Sequence, residues 1–262
     1  MKKLLSPKDS MSFFEHLSEL RSRLIRSIIA LILGFLVCWF FRYEIYDFIA
    51  APIYQNLPEG EKLSFIKLHE PFFVYLKVSM LAGVFLVSPY LLCQIWLFIA
   101  PGLYPRERRY AAPFILGTTV FFLMGGAFGY KWIFPTICAF FLDQGAQFEQ
   151  NVTVQEYFSM ASRIILALAL VFEMPVVIGF LAKFGLVSAR FLLSKASYAI
   201  VINVVIAALI TPTHDPYTLA LVAVPMIILY FFSILVAWIF GSSQRTAEEE
   251  DDDDDASMQK DK

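Results

Sequence analysis

Long apolar runs separated by short charged clusters organise the chain. One run covers 72–98 and the next 110–134, broken only by Lys77 and Lys131. Each exceeds the roughly 20 residues that a helix needs to cross a hydrocarbon core. Between them sit a Pro101, Gly102, Pro105 turn and the cluster Arg106, Glu107, Arg108, Arg109. Further runs at 24–41, 160–181, 196–210 and 217–240 bring the total to six predicted spans, an all-α membrane bundle over 1–240. The fifth, at about 22 Å of helix, falls short of a hydrocarbon core of about 30 Å and predicts a thin bilayer or a low outer wall there.

Charge sets the orientation. The arginines at 106–109 mark a cytoplasmic loop, and Lys2, Lys3, Lys8, Arg21, Arg23 and Arg26 put the N-terminus on the same side. The segment 135–159 holds Asp143, Glu149 and Glu156 without Lys or Arg, as expected outside. Six spans return the C-terminus to the cytoplasm. No cleavable leader is expected, because a charged helix separates the first lysines from the first apolar run. That helix, 10–26, repeats Phe13, Phe14, Leu17, Leu20 and Leu24 at helical steps and is expected along the interface before the chain turns inward.

Smaller signals refine the spans. Pro89 predicts a kink in the second and Pro225 lies inside the sixth. Gly125 and Gly129 have the small-xxx-small spacing of close helix contacts. Residues 63–68 read as a short strand or extended run, and Pro52 and Gly102 as backbone devices.

Composition agrees with the pattern: 58% of the 262 residues are hydrophobic and 16% aromatic, above soluble usage. The net charge of -2 is dominated by the tail. Residues 248–262 carry nine acids and two lysines; without them 19 basic residues face 14 acidic ones, a balance of +5. Eight successive acids make 241–262 a disordered cytoplasmic tail by expectation. Three unpatterned cysteines and three scattered histidines give no disulfide framework or metal site, and no nucleotide or hydrolase motif occurs. No cofactor and no nucleic-acid partner are expected.

Four acids are candidates for function. Glu173 lies about 20 Å along the fourth span, where an acid is costly and should face protein or water; it reads as functional or as a bond to a neighbouring helix. Glu19 reads as the helical partner of Arg23, and Glu107 as a solvated ion pair among arginines. Both also sit where a basic peptide would reach the membrane, and a carboxylate accepts a guanidinium fork that lysine cannot offer. Asp215, between Pro212 and Pro216, reads as a helix cap or a functional acid.

The segments His16-Leu-Ser-Glu19-Leu-Arg21-Ser-Arg23, Gln94 through Arg109, Phe172-Glu173-Met-Pro175 and Thr211-Pro212 to Asp215-Pro216 together resemble the TatC family of the twin-arginine protein translocase. The likeness spans about residues 14–240. It implies a cup-shaped six-helix receptor in the bacterial inner membrane that binds signal peptides with paired arginines and exports folded proteins on the proton-motive force. By resemblance Glu19, Glu107 and Phe98, with Leu20 and Arg21 in the first motif, form the signal-peptide site. Glu173 docks single-span TatA and TatB partners, and Pro52, Pro89, Tyr130 and Asp215 are structural or outer-face positions. Self-association and lipid contact follow from the same likeness.

Two other classes are weaker. A proton-coupled solute carrier using Glu173 predicts an inverted repeat that the sequence lacks. A membrane enzyme predicts clustered catalytic side chains within the spans.

Overall fold

The computed structural model describes residues 13–55, 63–99, 111–148, 151–211 and 215–260, which are helices and turns joined by one isolated bridge. The first helix, α1 (Phe13–Phe40), is uninterrupted. The expected turn from interface into membrane is absent, because no glycine or proline falls between Phe13 and Gly34 and the helical ladder has nothing to break it. Its packed face also differs from the Phe/Leu stripe. Leu17, Leu20 and Leu24 are exposed, whereas Gly34 and Cys38 are buried and Arg23, Ser27 and Leu31 on the same line are half-buried. Lipid solvates leucine as well as protein does, so small residues that admit another helix take the inner face.

That other helix is α3 (Glu70–Ile99). Gly34 and Gly83 face each other: a Cβ on Gly83 would lie 3.0 Å from the Phe35 nitrogen. Glu70 takes the first turn, its Oε2 accepting from the Ile66 N–H at 3.1 Å. Pro89 cannot donate to the Phe85 carbonyl, and the Ser88 hydroxyl donates to it instead at 2.8 Å.

Between α1 and α3, α2 (Arg42–Tyr54) packs on the bundle with Ile49, Ala50, Pro52 and Ile53 buried. Pro52 frees the carbonyl one turn back, that of Phe48, and Tyr130 Oη donates to it at 2.6 Å with its ring stacked on Phe48. Tyr157 Oη donates to the next carbonyl, of Ile49, at 2.8 Å. Two tyrosines thus clamp the proline turn onto the bundle. Tyr130→Phe is expected to cost about 1–3 kcal/mol, since the Phe48 carbonyl loses its partner. Adding Pro52→Ala, which restores a backbone donor, should recover part of that loss. Thermal unfolding of the single and double variants in detergent measures this coupling; additive losses would mean the carbonyl is satisfied otherwise.

The third apolar run forms α4 (Ala111–Phe128), a π turn (Gly129–Ile133) and α5 (Phe134–Gln144). Helix continues ten residues beyond the expected end at Phe134. The wide π turn, closed by the Phe134 N–H onto the Gly129 carbonyl, carries the chain past Pro135. The fourth run starts earlier than expected, at Val154, where Thr153 Oγ1 accepts the Glu156 N–H. It comprises α6 (Val154–Val171) and α7 (Met174–Lys183), separated at Phe172 and Glu173. Close approach of α4 to α6 rests on Gly125, where a Cβ would lie 2.6 Å from the Leu168 carbonyl oxygen. The extended run at 63–68 reduces to the bridge Ser64–Thr153.

Then come α8 (Ala189–Ser194), α9 (Ala196–Ile210) and α10 (Pro216–Lys260). Tyr230 Oη donates to the Leu192 carbonyl at 2.8 Å and ties α8 to α10. Five helical stretches, His16–Phe40, Glu70–Phe98, Ala112–Gln144, Val154–Lys183 and Pro216–Gly241, are long and apolar enough to cross a membrane, and α9 is a shorter apolar helix. The α10 backbone stays helical through the acidic residues where composition predicts disorder; extending a long apolar helix needs no new nucleus.

Candidate functional site

At the end of the bundle where α1 begins and α3 finishes, polar groups converge on an otherwise apolar surface. The α1–α3 contact brings Glu19 and Arg23, one turn apart, against Gln94 on α3. Arg23 Nε donates to Glu19 Oε1 at 2.9 Å, and Nη2 donates to the same oxygen. Nη1 donates to Gln94 Oε1 at 3.2 Å. The Glu19 and Arg23 side chains are largely covered, at 19% and 17% exposed, and Gln94 is buried. Glu19 Oε2 is buried without a hydrogen-bond partner among the described residues.

An aromatic contact completes the group. His16, one turn before Glu19, stacks on Phe98, with ring centroids 4.4 Å apart and planes 17° from parallel. Phe98 and Gln94 are themselves one turn apart on α3, so two side chains of each helix interlock. Behind them Trp96 is buried, donates from Nε1 to Thr118 Oγ1 at 3.2 Å, and meets Phe114 and Phe180. These rings join α3, α4 and α7 into a stiff backing.

Leu20 and Arg21, one and two residues beyond Glu19, occupy other faces of α1 and are exposed. Glu107 lies outside the described residues, in the 100–110 connection between α3 and α4. Gln94 escaped sequence reasoning as a separate contact; the signal available was an amide within an apolar helix one turn before Phe98. A groove of about 570 Å³ starts one turn further into α1, lined by Arg26, Ala30, Leu33, Val37, Pro89 and Tyr90 among others.

The remaining candidates sit elsewhere. Glu173 occupies the α6–α7 break: Pro175 has no N–H for the Val171 carbonyl, and the Glu173 carbonyl accepts from Val176 and Val177 at 3.1 and 3.0 Å. Its side chain makes no cap bond, and Oε1 is buried without a hydrogen-bond partner among the described residues. Asp215 caps α10, its Oδ1 accepting the Thr218 N–H at 2.8 Å and Oδ2 accepting the Thr218 hydroxyl. No group of three or more potential metal ligands occurs among the described residues.

Comparison with known proteins agrees with this architecture. Residues 15–225 match the family described as "Sec-independent protein translocase protein (TatC)". The protein of that name from Koribacter versatilis is 46% identical over 232 residues, covering 87% of this chain and 86% of its own. That from Aquifex aeolicus is 37% identical over 229 residues, covering 86% and 93%. A solved structure titled "Crystal Structure of Twin Arginine Translocase Receptor- TatC" superposes with a TM-score of 0.77 at 37% identity, covering 85% of this chain and 98% of the other. These likenesses give no support to a solute carrier or a membrane enzyme: the chain belongs to the TatC family of Sec-independent protein translocases.

Proposed function

We propose that Glu19 and Glu107 together receive the paired arginines of a signal peptide at the cytoplasmic face. The observation that carries this reading is the Glu19 carboxylate, one turn from the His16–Phe98 stack, with one oxygen unpartnered among the described residues. Such an oxygen costs about 1–3 kcal/mol until a donor reaches it, and a guanidinium supplies donors in a planar fork. Glu107 stands four residues before α4 in the adjoining connection, close enough along the chain to serve the second arginine. The apolar part of the peptide follows the groove between α1 and α3, which opens beside Arg26 and runs towards Val37.

The setting is a bacterial cytoplasmic membrane with both termini inside, supported by the basic residues before α1 and at 106–109 and by the acid-only stretch 135–159. Glu173, at a helix break away from the peptide site, docks single-span TatA- and TatB-type subunits, and the chain associates with further copies of itself in the working complex. The proton-motive force drives export.

Glu19→Ala and Glu107→Ala test the site. Each is expected to lower export of a folded reporter carrying a paired-arginine signal by roughly tenfold to a hundredfold, the loss of one or two charged hydrogen bonds. Membrane insertion and thermal unfolding should stay near wild type. Wild-type export by both variants would remove the assignment.

A further inference from the structure

Arg23 already holds the carboxylate that the incoming peptide needs. Two of its donors converge on Glu19 Oε1, while Oε2 has none among the described residues. This is a wasteful pairing. A guanidinium gains most when its two N–H groups take two separate carboxylate oxygens, and Arg23, with Nη1 bound to Gln94, puts both of its remaining bonds on one. An arginine arriving from outside has no such tether and can present a full fork.

Gln94 makes departure possible. It sits on α3, is 7% exposed, and accepts from Arg23 through an amide oxygen independent of Glu19. If Arg23 leaves Glu19, this bond retains one charge-assisted contact for it and keeps it clear of the arriving arginine. We propose that Arg23 is a resident guanidinium, moored on Gln94, which a signal-peptide arginine displaces from Glu19, and that this exchange sets the preference for arginine over lysine. The inference rests on Glu19 being part of the peptide site.

Selectivity follows from the chemistry of the exchange. The displaced contact is one charged pair, and an arginine replaces it with bonds to both oxygens. A lysine ammonium is a compact, strongly hydrated charge that cannot make the fork, so it must evict Arg23 for a weaker return. With the internal competitor gone, lysine needs to overcome water alone. Arg23 therefore acts through Glu19 as a positioning and specificity-determining residue.

Fluorescence anisotropy with purified protein in nanodiscs tests this, using a synthetic signal peptide with two arginines and its two-lysine counterpart. Arg23→Gln should bind the arginine peptide about threefold to tenfold more tightly, and the lysine peptide more strongly improved still, lowering the arginine-to-lysine preference on the order of tenfold. Arg23→Lys should fall between the two. Gln94→Leu should weaken arginine-peptide binding several-fold in the parent and change little in the Arg23→Gln background, a coupling that simple loss of packing does not produce. Size-exclusion profiles and unfolding temperatures identify variants that fold.

Weaker binding of the arginine peptide to folded Arg23→Gln, or an unchanged arginine-to-lysine preference, would overturn the exchange. Glu19→Gln separates the two ideas. If it leaves arginine-peptide binding intact, the site itself is misplaced; if it weakens binding while Arg23→Gln leaves the preference unmoved, the site stands and only the exchange fails.

Discussion

Gly83→Leu is expected to weaken binding of a paired-arginine peptide at least several-fold, although Gly83 lies far along α3 from Glu19. A Cβ at Gly83 would stand 3.0 Å from the Phe35 nitrogen, 3.1 Å from the Gly34 carbonyl carbon and 3.2 Å from the Phe35 Cα, all of them helix backbone. No rotamer change relieves contacts of that kind, so α1 must lift off α3 along its length. Overpacking of this sort costs typically about 1–3 kcal/mol. The larger effect is geometric. Arg23 lies about 16 Å up α1 from Gly34, and its bond to Gln94 is already 3.2 Å, so a shift of half an ångström takes it beyond hydrogen-bond range.

The stacking of His16 on Phe98 and the fixed rotamer of Glu19 go with it. Gly34→Ala adds only a methyl and should be milder, although that methyl would meet the Val87 Cγ1 at 2.7 Å and the Gly83 carbonyl oxygen at 3.1 Å. A cysteine pair at positions 16 and 98, joined by a short bifunctional reagent, reads the displacement directly. Parental cross-linking and peptide binding in Gly83→Leu would show that α1 is not held where the glycines place it.

This contact shows where the sequence could and could not be read. Apolar runs set off by charged clusters disclose a membrane bundle because the bilayer imposes a length on every crossing helix. They do not disclose which face of a helix meets protein. The Leu17, Leu20, Leu24 stripe is the stronger periodic signal, yet it is exposed, while the covered line through Arg23, Ser27, Leu31, Gly34 and Cys38 mixes small, polar and apolar residues that no hydrophobic pattern singles out.

Prolines were legible singly and not in company. Pro52, Pro89 and Pro175 each announce a freed carbonyl, but that Tyr130, 82 residues on, answers Pro52 while Ser88 answers Pro89 depends on tertiary placement. The candidate site divides the same way. Glu19 and Phe98 stood out by the company of their motifs. Gln94 did not stand out as a contact, because its meaning comes from Arg23, 71 positions away. Asp215 carries two readings, and its bonds to Thr218 show the capping geometry of one of them.

Glu173→Leu is expected to raise the unfolding temperature of the isolated protein while removing its assembly with single-span partners. The carboxylate does little inside the chain. It makes no cap bond, its Oε1 is buried without a hydrogen-bond partner among the described residues, and the α6–α7 break is held by backbone bonds that Leu leaves in place. On insertion scales an acid at mid-helix costs about 2.5–3.5 kcal/mol and leucine is favourable by about 0.3–0.6, so the exchange should stabilise the fold by a part of that roughly 3 kcal/mol, less any repacking strain, the unfolded chain in detergent sharing the rest. The docking proposed above would give that acid a donor on another chain. Glu173→Gln separates shape from charge: it keeps a hydrogen-bonding group of similar size, so assembly that survives in Gln and disappears in Leu identifies a hydrogen bond, and assembly lost in both identifies a requirement for the carboxyl group itself. Thermal unfolding in detergent supplies the stability reading and co-purification of the tagged single-span subunits supplies the other. A Leu variant that unfolds at a lower temperature would assign Glu173 to the protein's own packing.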